Sequence, residues 1–230
     1  MKETYYKVLK PDRKTIHANG QWPMPGKWLE AEGDLIPCAN GLHLCRRGDL
    51  IQWLGPEIWT AEYEGERVDS NDKIVVRKAR LIKRLDTWNE RTQRLFACDC
   101  AEHVLHFFES KFPGDDRPRK VIETTRLYAV GEASLPELRL AARATRDAAS
   151  AAWAARAARA AGSSGAEWDA AEAAAEAAWS AARVAGASEA AWAARGAGDS
   201  ARSAAWATSR GTWGAEIEWQ TDKLFEYLKD

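Results

Sequence analysis

Cysteine is scarce in this chain, with four residues, Cys38, Cys45, Cys98 and Cys100, among 230. So few thiols cannot build a disulfide framework at this length, which leaves stability to a hydrophobic core and makes reduced thiols the expectation. A surplus of one charge is also missing. The 33 Lys and Arg nearly cancel the 34 Asp and Glu, for a formal net charge of -1. No overall field gathers nucleic acid or an anionic membrane, so a charged partner has to be met by a local patch. No uninterrupted apolar stretch reaches the roughly 18 residues of a membrane span, and the opening MKETYYKVLKPDRK has no apolar segment of the kind that directs secretion. A cytoplasmic location without a membrane partner is the expectation.

Enzyme signatures are missing as well: no G-x-S-x-G, no phosphate-binding glycine loop and no H-E-x-x-H helix occurs. Two groups of potential zinc ligands are present, Cys38, His43 and Cys45 in one and Cys98, Cys100, His103 and His106 in the other. Neither has paired C-x2-C spacing, and two positions apart on a helix means side chains about 200° apart. Buried thiols and a core histidine suit these positions better, so neither metal nor cofactor is expected.

What the chain does have is 46% hydrophobic residues and 12 Trp, enough for a real core. Its composition changes near residue 86. Before that point TYYKVLK, IWTAEYEG and KIVVRKARLI alternate apolar with polar residues as half-buried strands do, Asn40-Gly41 marks a tight turn, and a short helix opens near Gly48-Asp49. After it every pattern is helical. Pro113-Gly114 ends one helix. Asp115 or Asp116 caps the next, with Pro118 in its first turn and Gly131 past its end, and Ser134 to Glu137 reads as a capping box for a third. Between residues 139 and 210 there are 34 alanines in 72 positions, cut by glycines into helical pieces, each with one or two tryptophans. Alanine favours helix and permits close helix approach, and indoles would be buried. The expected fold is α+β: a small α+β unit over residues 1–86, then an all-α, Ala/Trp-rich region over 87–230. Within that region a helix pair spans 87–131, the alanine-rich array 134–211 and a C-terminal helix 212–230.

The stretch LFACDCAEHVLHFFESKFPGDDRPRKVIETTRLYAVG, with the alanine-rich helices after it, resembles the bacterial helical family of Imm5-like immunity proteins over residues of about 95–210. The matching residues are Cys100, Ala101, Glu102, Val104 and Leu105, then Pro113, Asp115, Asp116, Arg117, Pro118 and Arg119. The resemblance implies a binding role in toxin–immunity or phage–host conflict. Residues 41–63, opening with Gly-Leu-His-Leu-Cys, are similar to an uncharacterised domain of phage and bacterial proteins.

Arg139, Arg143, Arg146 and Trp153 step by 4, 3 and 7 along one helix stripe, where guanidiniums beside an indole would suit a carboxylate, phosphate or nucleobase. Arg117 and Arg119 form a second candidate patch, with Asp115 and Asp116 as structural caps. The basic run of residues 73–84 spreads its charge over both faces of a strand, which disfavours nucleic acid. These readings together predict a non-catalytic binding or inhibitor protein, sequestering a protein effector or toxin, or a nucleotide-like ligand. Two other classes stay open: an enzyme of ADP-ribosyl-transfer or nucleotide-processing type centred on His17, His43 and Glu62, and a structural module whose alanine faces bury against a second copy as a homo-oligomer.

Overall fold

The computed structural model describes residues 3–17, 19–159, 165–185, 198–200, 202–204, 206 and 213–229, apart from the side chains of 153–159, 165–168, 184–185 and 213. Trp192 and most of the expected glycine turns of the alanine-rich region lie outside this set. The chain divides into two compact units, Met1–Asn89 with Leu228–Asp230, and Glu90–Tyr227. No helix among the described residues is long and apolar enough to cross a membrane.

The first unit is an antiparallel sheet of β1 (Tyr5–Leu9), β2 (Leu29–Glu30), β3 (Leu42–Leu44), β4 (Glu57–Asp69) and β5 (Ile74–Arg84). β4 and β5 form a long hairpin. β1 pairs with the outer edge of β4, while β2 and β3 take successive parts of the other edge of β5, with Leu29 opposite Ala79 and His43 opposite Val75. Directly after β3, Tyr6 and Cys45 exchange backbone hydrogen bonds of 2.9 and 2.8 Å, so the sheet closes on itself. Closure leaves fewer unpaired strand edges and an enclosed apolar core. Tyr5, Leu9, Trp22, Leu44, Trp59, Ile74, Val76 and Leu81 fill it. The Asn40-Gly41 turn delivers the chain into β3. Gly41 has φ +116°, and a Cβ there would sit 2.4 Å from a methyl of Val75, so no larger residue fits. The expected short helix is a 3-10 helix over Arg47–Trp53, where the buried Asp49 accepts the Arg46 amide at 2.9 Å.

The second unit is helical: α1 (Glu90–Lys111), α2 (Arg117–Val130), α3 (Leu135–Arg159), α4 (Gly165–Ala185) and α5 (Trp213–Tyr227), with further helical residues at 198–200 and 202–204. Gly131 closes α2 in the left-handed conformation, φ +84°. The Ser134 capping box opens α3, its amide donating to Glu137 at 2.7 Å and its hydroxyl accepting the Glu137 amide at 3.4 Å.

The middle of this unit is α4, which packs against α1, α2 and α3. Alanines 170, 171, 174, 175, 177, 178, 181 and 182 are all buried, forming one stripe that spans about 160° of the helix circumference. A helix enclosed on several sides at short distance has room for methyl groups and little else, which is why the alanine content is a packing requirement. Buried Ser200 shows how short the distance is. Its hydroxyl donates to the carbonyl of Ala97 in α1 at 2.8 Å, with the carbonyl of Ala177 in α4 at 3.2 Å, so the two backbones approach within about 6 Å. Among the described residues the bulk of this unit's core comes from Phe96, Leu105, Phe108, Ile122 and Leu138, on α1 to α3; the side chains of Trp153, Trp168, Trp192 and Trp213 lie outside them. Trp206 is 71% exposed, against the expectation of buried indoles. Trp179 is half-buried with the Arg183 guanidinium over its ring, 4.8 Å from the centroid.

Candidate functional site

Leu138, Thr145, Ala148, Ala149 and Ala152 turn one side of α3 into the bundle, and that fixes what the rest of the helix offers. Arg139, Arg143 and Arg146 share a flank of α3 and are exposed. Leu140, beside them, is 71% exposed. Elsewhere the arginines pair with acids: Arg46 with Asp49, Arg77 with Glu66, Arg94 with Glu90, Arg126 with Asp99 and Glu102. Among the described residues no carboxylate stands within ion-pair distance of Arg139, Arg143 or Arg146. Trp153 continues α3 two turns beyond Arg146, and its side chain lies outside the described residues.

Arg117 and Arg119 are differently placed. Asp115 accepts two bonds from the Arg117 guanidinium, at 2.8 and 2.5 Å, and that hydrogen bonding holds its carboxyl below the usual range. Arg119 donates to Glu109 at 2.7 Å, rather than to Asp115 or Asp116. Asp116 occupies the N-cap position of α2, but its side chain makes no capping hydrogen bond and pairs with Lys120 at 2.8 Å. The cap is left to Asp115, whose carboxylate also faces the Arg117 amide at 3.3 Å.

In the first unit the three residues of the enzymatic alternative each have their own partner. His17 packs edge-on against Trp53. His43 Nε2 accepts the Cys38 amide at 3.1 Å, leaving its other nitrogen to donate to the Gly41 backbone, and burial followed by the nearby Lys7 and Lys73 charges lowers its pKa. Both nitrogens serve the turn. Glu62 is bound to Arg80. The basic run of β5 faces acids of β4 in the same way, Arg77 with Glu66 and Lys78 with Glu64, so its charge is neutralised across the hairpin. Cys45, Cys98 and Cys100 are buried thiols, as expected, but Cys38 is exposed. Among the described residues no three His, Cys, Asp or Glu gather as a metal site.

One constellation was not legible in the sequence. His103 is exposed: its ring stacks on Trp219 of α5 at 3.7 Å and 3°, and its Nδ1 is 2.8 Å from the buried carboxylate of Glu216. Gln220 donates to the same carboxylate at 2.8 Å. Alongside, Tyr227 donates to Asp99 at 2.6 Å, and Arg126 of α2 reaches Asp99 and Glu102 at 2.7 and 2.6 Å. These bonds fasten α5 to α1. The turn-to-turn spacing of Asp99 and His103 was visible, but their α5 partners Tyr227 and Glu216 lie more than a hundred residues away.

The family described as "Imm-5 like putative immunity protein" matches residues 83–224, more than half of the chain. The chain belongs to this Imm5-like family. The match takes in α1 to α4 and most of α5, including every arginine of the α3 flank, while almost all of the first unit lies outside it. No curated protein and no solved structure matches the chain.

Proposed function

We propose that this Imm5-like protein is a non-catalytic inhibitor that neutralises a protein toxin by covering it, with Arg139, Arg143 and Arg146 of α3 as its cationic contact face and Trp153 farther along the same helix. The observation that carries this reading is the three exposed guanidiniums, one turn apart, with no ion-pair partner among the described residues, although Asp147 follows Arg146 on the same helix. Guanidiniums pair carboxylates through two parallel hydrogen bonds, so such a flank fits an acidic protein surface. The three arginines span about 10 Å of helix axis, next to an exposed leucine. A protruding helix flank of this kind meets a protein surface, whereas a nucleotide-sized ligand needs a concave pocket. Arg117 and Arg119 would have to break existing ion pairs first, so they rank second.

The test is affinity capture from the source bacterium with the wild-type chain, the Arg139→Glu/Arg143→Glu/Arg146→Glu variant and an Arg119→Glu/Lys120→Glu control. A partner that is held by wild type and control, is lost with the α3 variant, and whose toxicity in a growth assay the wild-type chain relieves, supports the proposal. A partner retained by the α3 variant contradicts it.

A further inference from the structure

The first unit, almost all of which lies outside the family match, holds a lysine that the proposed inhibitory role does not use. Lys7 stands on β1 between Tyr5 and Leu9, on the side of the strand that faces the core. Its ammonium donates to the His43 carbonyl of β3 at 2.9 Å and lies 5.2 Å from the centre of the buried Trp22 ring. One neutral carbonyl and one indole face serve its three N–H groups, and among the described residues no carboxylate stands within ion-pair distance of it. Its titratable neighbours, the His43 ring and the Cys45 thiol, are both held neutral by burial. Lys73 of the same unit shows the contrast. It is buried and stands over Trp53, 4.4 Å from the ring centroid, but the Asp72 carboxylate at 3.2 Å balances its charge. An enclosed amine without a counter-ion is driven toward its neutral form, because loss of water penalises only the charged one. Burial brings Lys7 down to about 8. The neutral amine is the nucleophile, and Lys7 keeps part of its surface in solvent, which leaves room for a small reagent.

We propose that Lys7 is a covalent binding site for small aldehydes, which its amine captures as a reversible imine. With one N–H donated to His43, the nitrogen lone pair is left to attack the carbonyl carbon. A C–N bond forms as the C=O π pair moves to oxygen, and solvent carries a proton from nitrogen to that oxygen, giving the carbinolamine. Its C–O bond then breaks, the hydroxyl leaves as water with the remaining nitrogen proton, and a C=N bond is left. Addition of water reverses the sequence, and no oxidant or reductant is consumed. Lys73 keeps its proton beside Asp72 and does not follow.

The full wild-type chain is treated with formaldehyde, the imine is fixed by cyanoborohydride as the methylated amine, and peptide mass locates the label, over a pH series and again in denaturing urea. The expected result at pH 7 is labelling of Lys7 at least about tenfold faster than of the exposed Lys10 and Lys27 or of Lys73. The Lys7 rate should level off above about pH 8, and its lead should vanish in urea. Because every arm uses the wild-type chain, no variant has to fold for the test to be read. A Lys7 rate no higher than those of Lys10 and Lys27, a Lys73 rate equal to that of Lys7, or a preference for Lys7 that survives unfolding overturns the proposal.

Discussion

A single charge inside the closed sheet gives the sharpest prediction at the scale of the residue. Lys7 lies on the same side of β1 as the core residues Tyr5 and Leu9, donates to the His43 carbonyl at 2.9 Å, and stands over Trp22, 5.2 Å from the ring centroid. Desolvation lowers its pKa from 10.5 to about 8. Below pH 8 the folded and unfolded chains both carry the proton, and the folded state bears the full cost of burying it. Between about 8 and 10.5 the unfolded chain holds more protons, so stability rises with pH, and above that window the cost is gone. Ionisation of the buried thiols acts in the opposite direction above about pH 9, because the unfolded chain loses those protons first. The Lys7→Met variant is expected to be more stable than wild type at pH 7 by on the order of 2 kcal/mol, a gap that closes as pH is raised through the window. Urea unfolding at pH 7, 8.5 and 10 measures it, and a gap independent of pH would contradict the assignment. Nothing in the sequence marks Lys7 as half-buried and facing inward, because a lysine among alternating strand residues reads as the solvent side. Only the Tyr6–Cys45 bridge, which closes the sheet, reveals which side is enclosed.

At the scale of the element, α4 carries the argument. Its alanines are enclosed by three helices, so Ala178→Leu adds bulk where no space is left and is expected to cost about 1–3 kcal/mol. The same change at the exposed Ala151 of α3 is expected to stay within about 0.5 kcal/mol. Denaturant midpoints of the two variants check this, and equal midpoints would mean that α4 is not held as described. A second element-level test is Gly131→Ala, which forces a side chain into the left-handed cap of α2 and is expected to lower stability by about 1 kcal/mol. These features were readable beforehand, since glycine caps, the Ser134 capping box and alanine periodicity are local signals. The order of strands, the placement of α4 among α1, α2 and α3, and the fastening of α5 by His103 and Glu216 were not. They depend on pairings between distant segments, which composition and periodicity do not encode. The reading of tryptophan as core does not hold at Trp206, which is exposed, whereas the side chains of Trp153, Trp168, Trp192 and Trp213 lie outside the described residues.

At the scale of the whole molecule, net charge near zero hides an uneven distribution. Among the described residues most arginines are neutralised by local acids, as in the β4–β5 hairpin and at the α1–α2 connection, while the α3 flank keeps its charge. The sequence showed the three arginines in line, but it could not show which of the chain's many guanidiniums would be consumed by intramolecular pairing, and that distinction is what singles out α3 over the Arg117 and Arg119 patch. Binding through such a face has to depend on salt, because exposed charges are screened over about 10 Å at 0.1 M. Charge reversal on it should act through the partner and leave folding intact. The most direct measurement is calorimetric titration of the captured partner with wild type and with the Arg139→Glu/Arg143→Glu/Arg146→Glu variant, at 50 and 200 mM salt. The expected result is a Kd at least about tenfold weaker for the variant, a loss of about 1.4 kcal/mol or more, with a shallower dependence on salt. A variant that keeps both the wild-type Kd and its salt dependence would contradict the account.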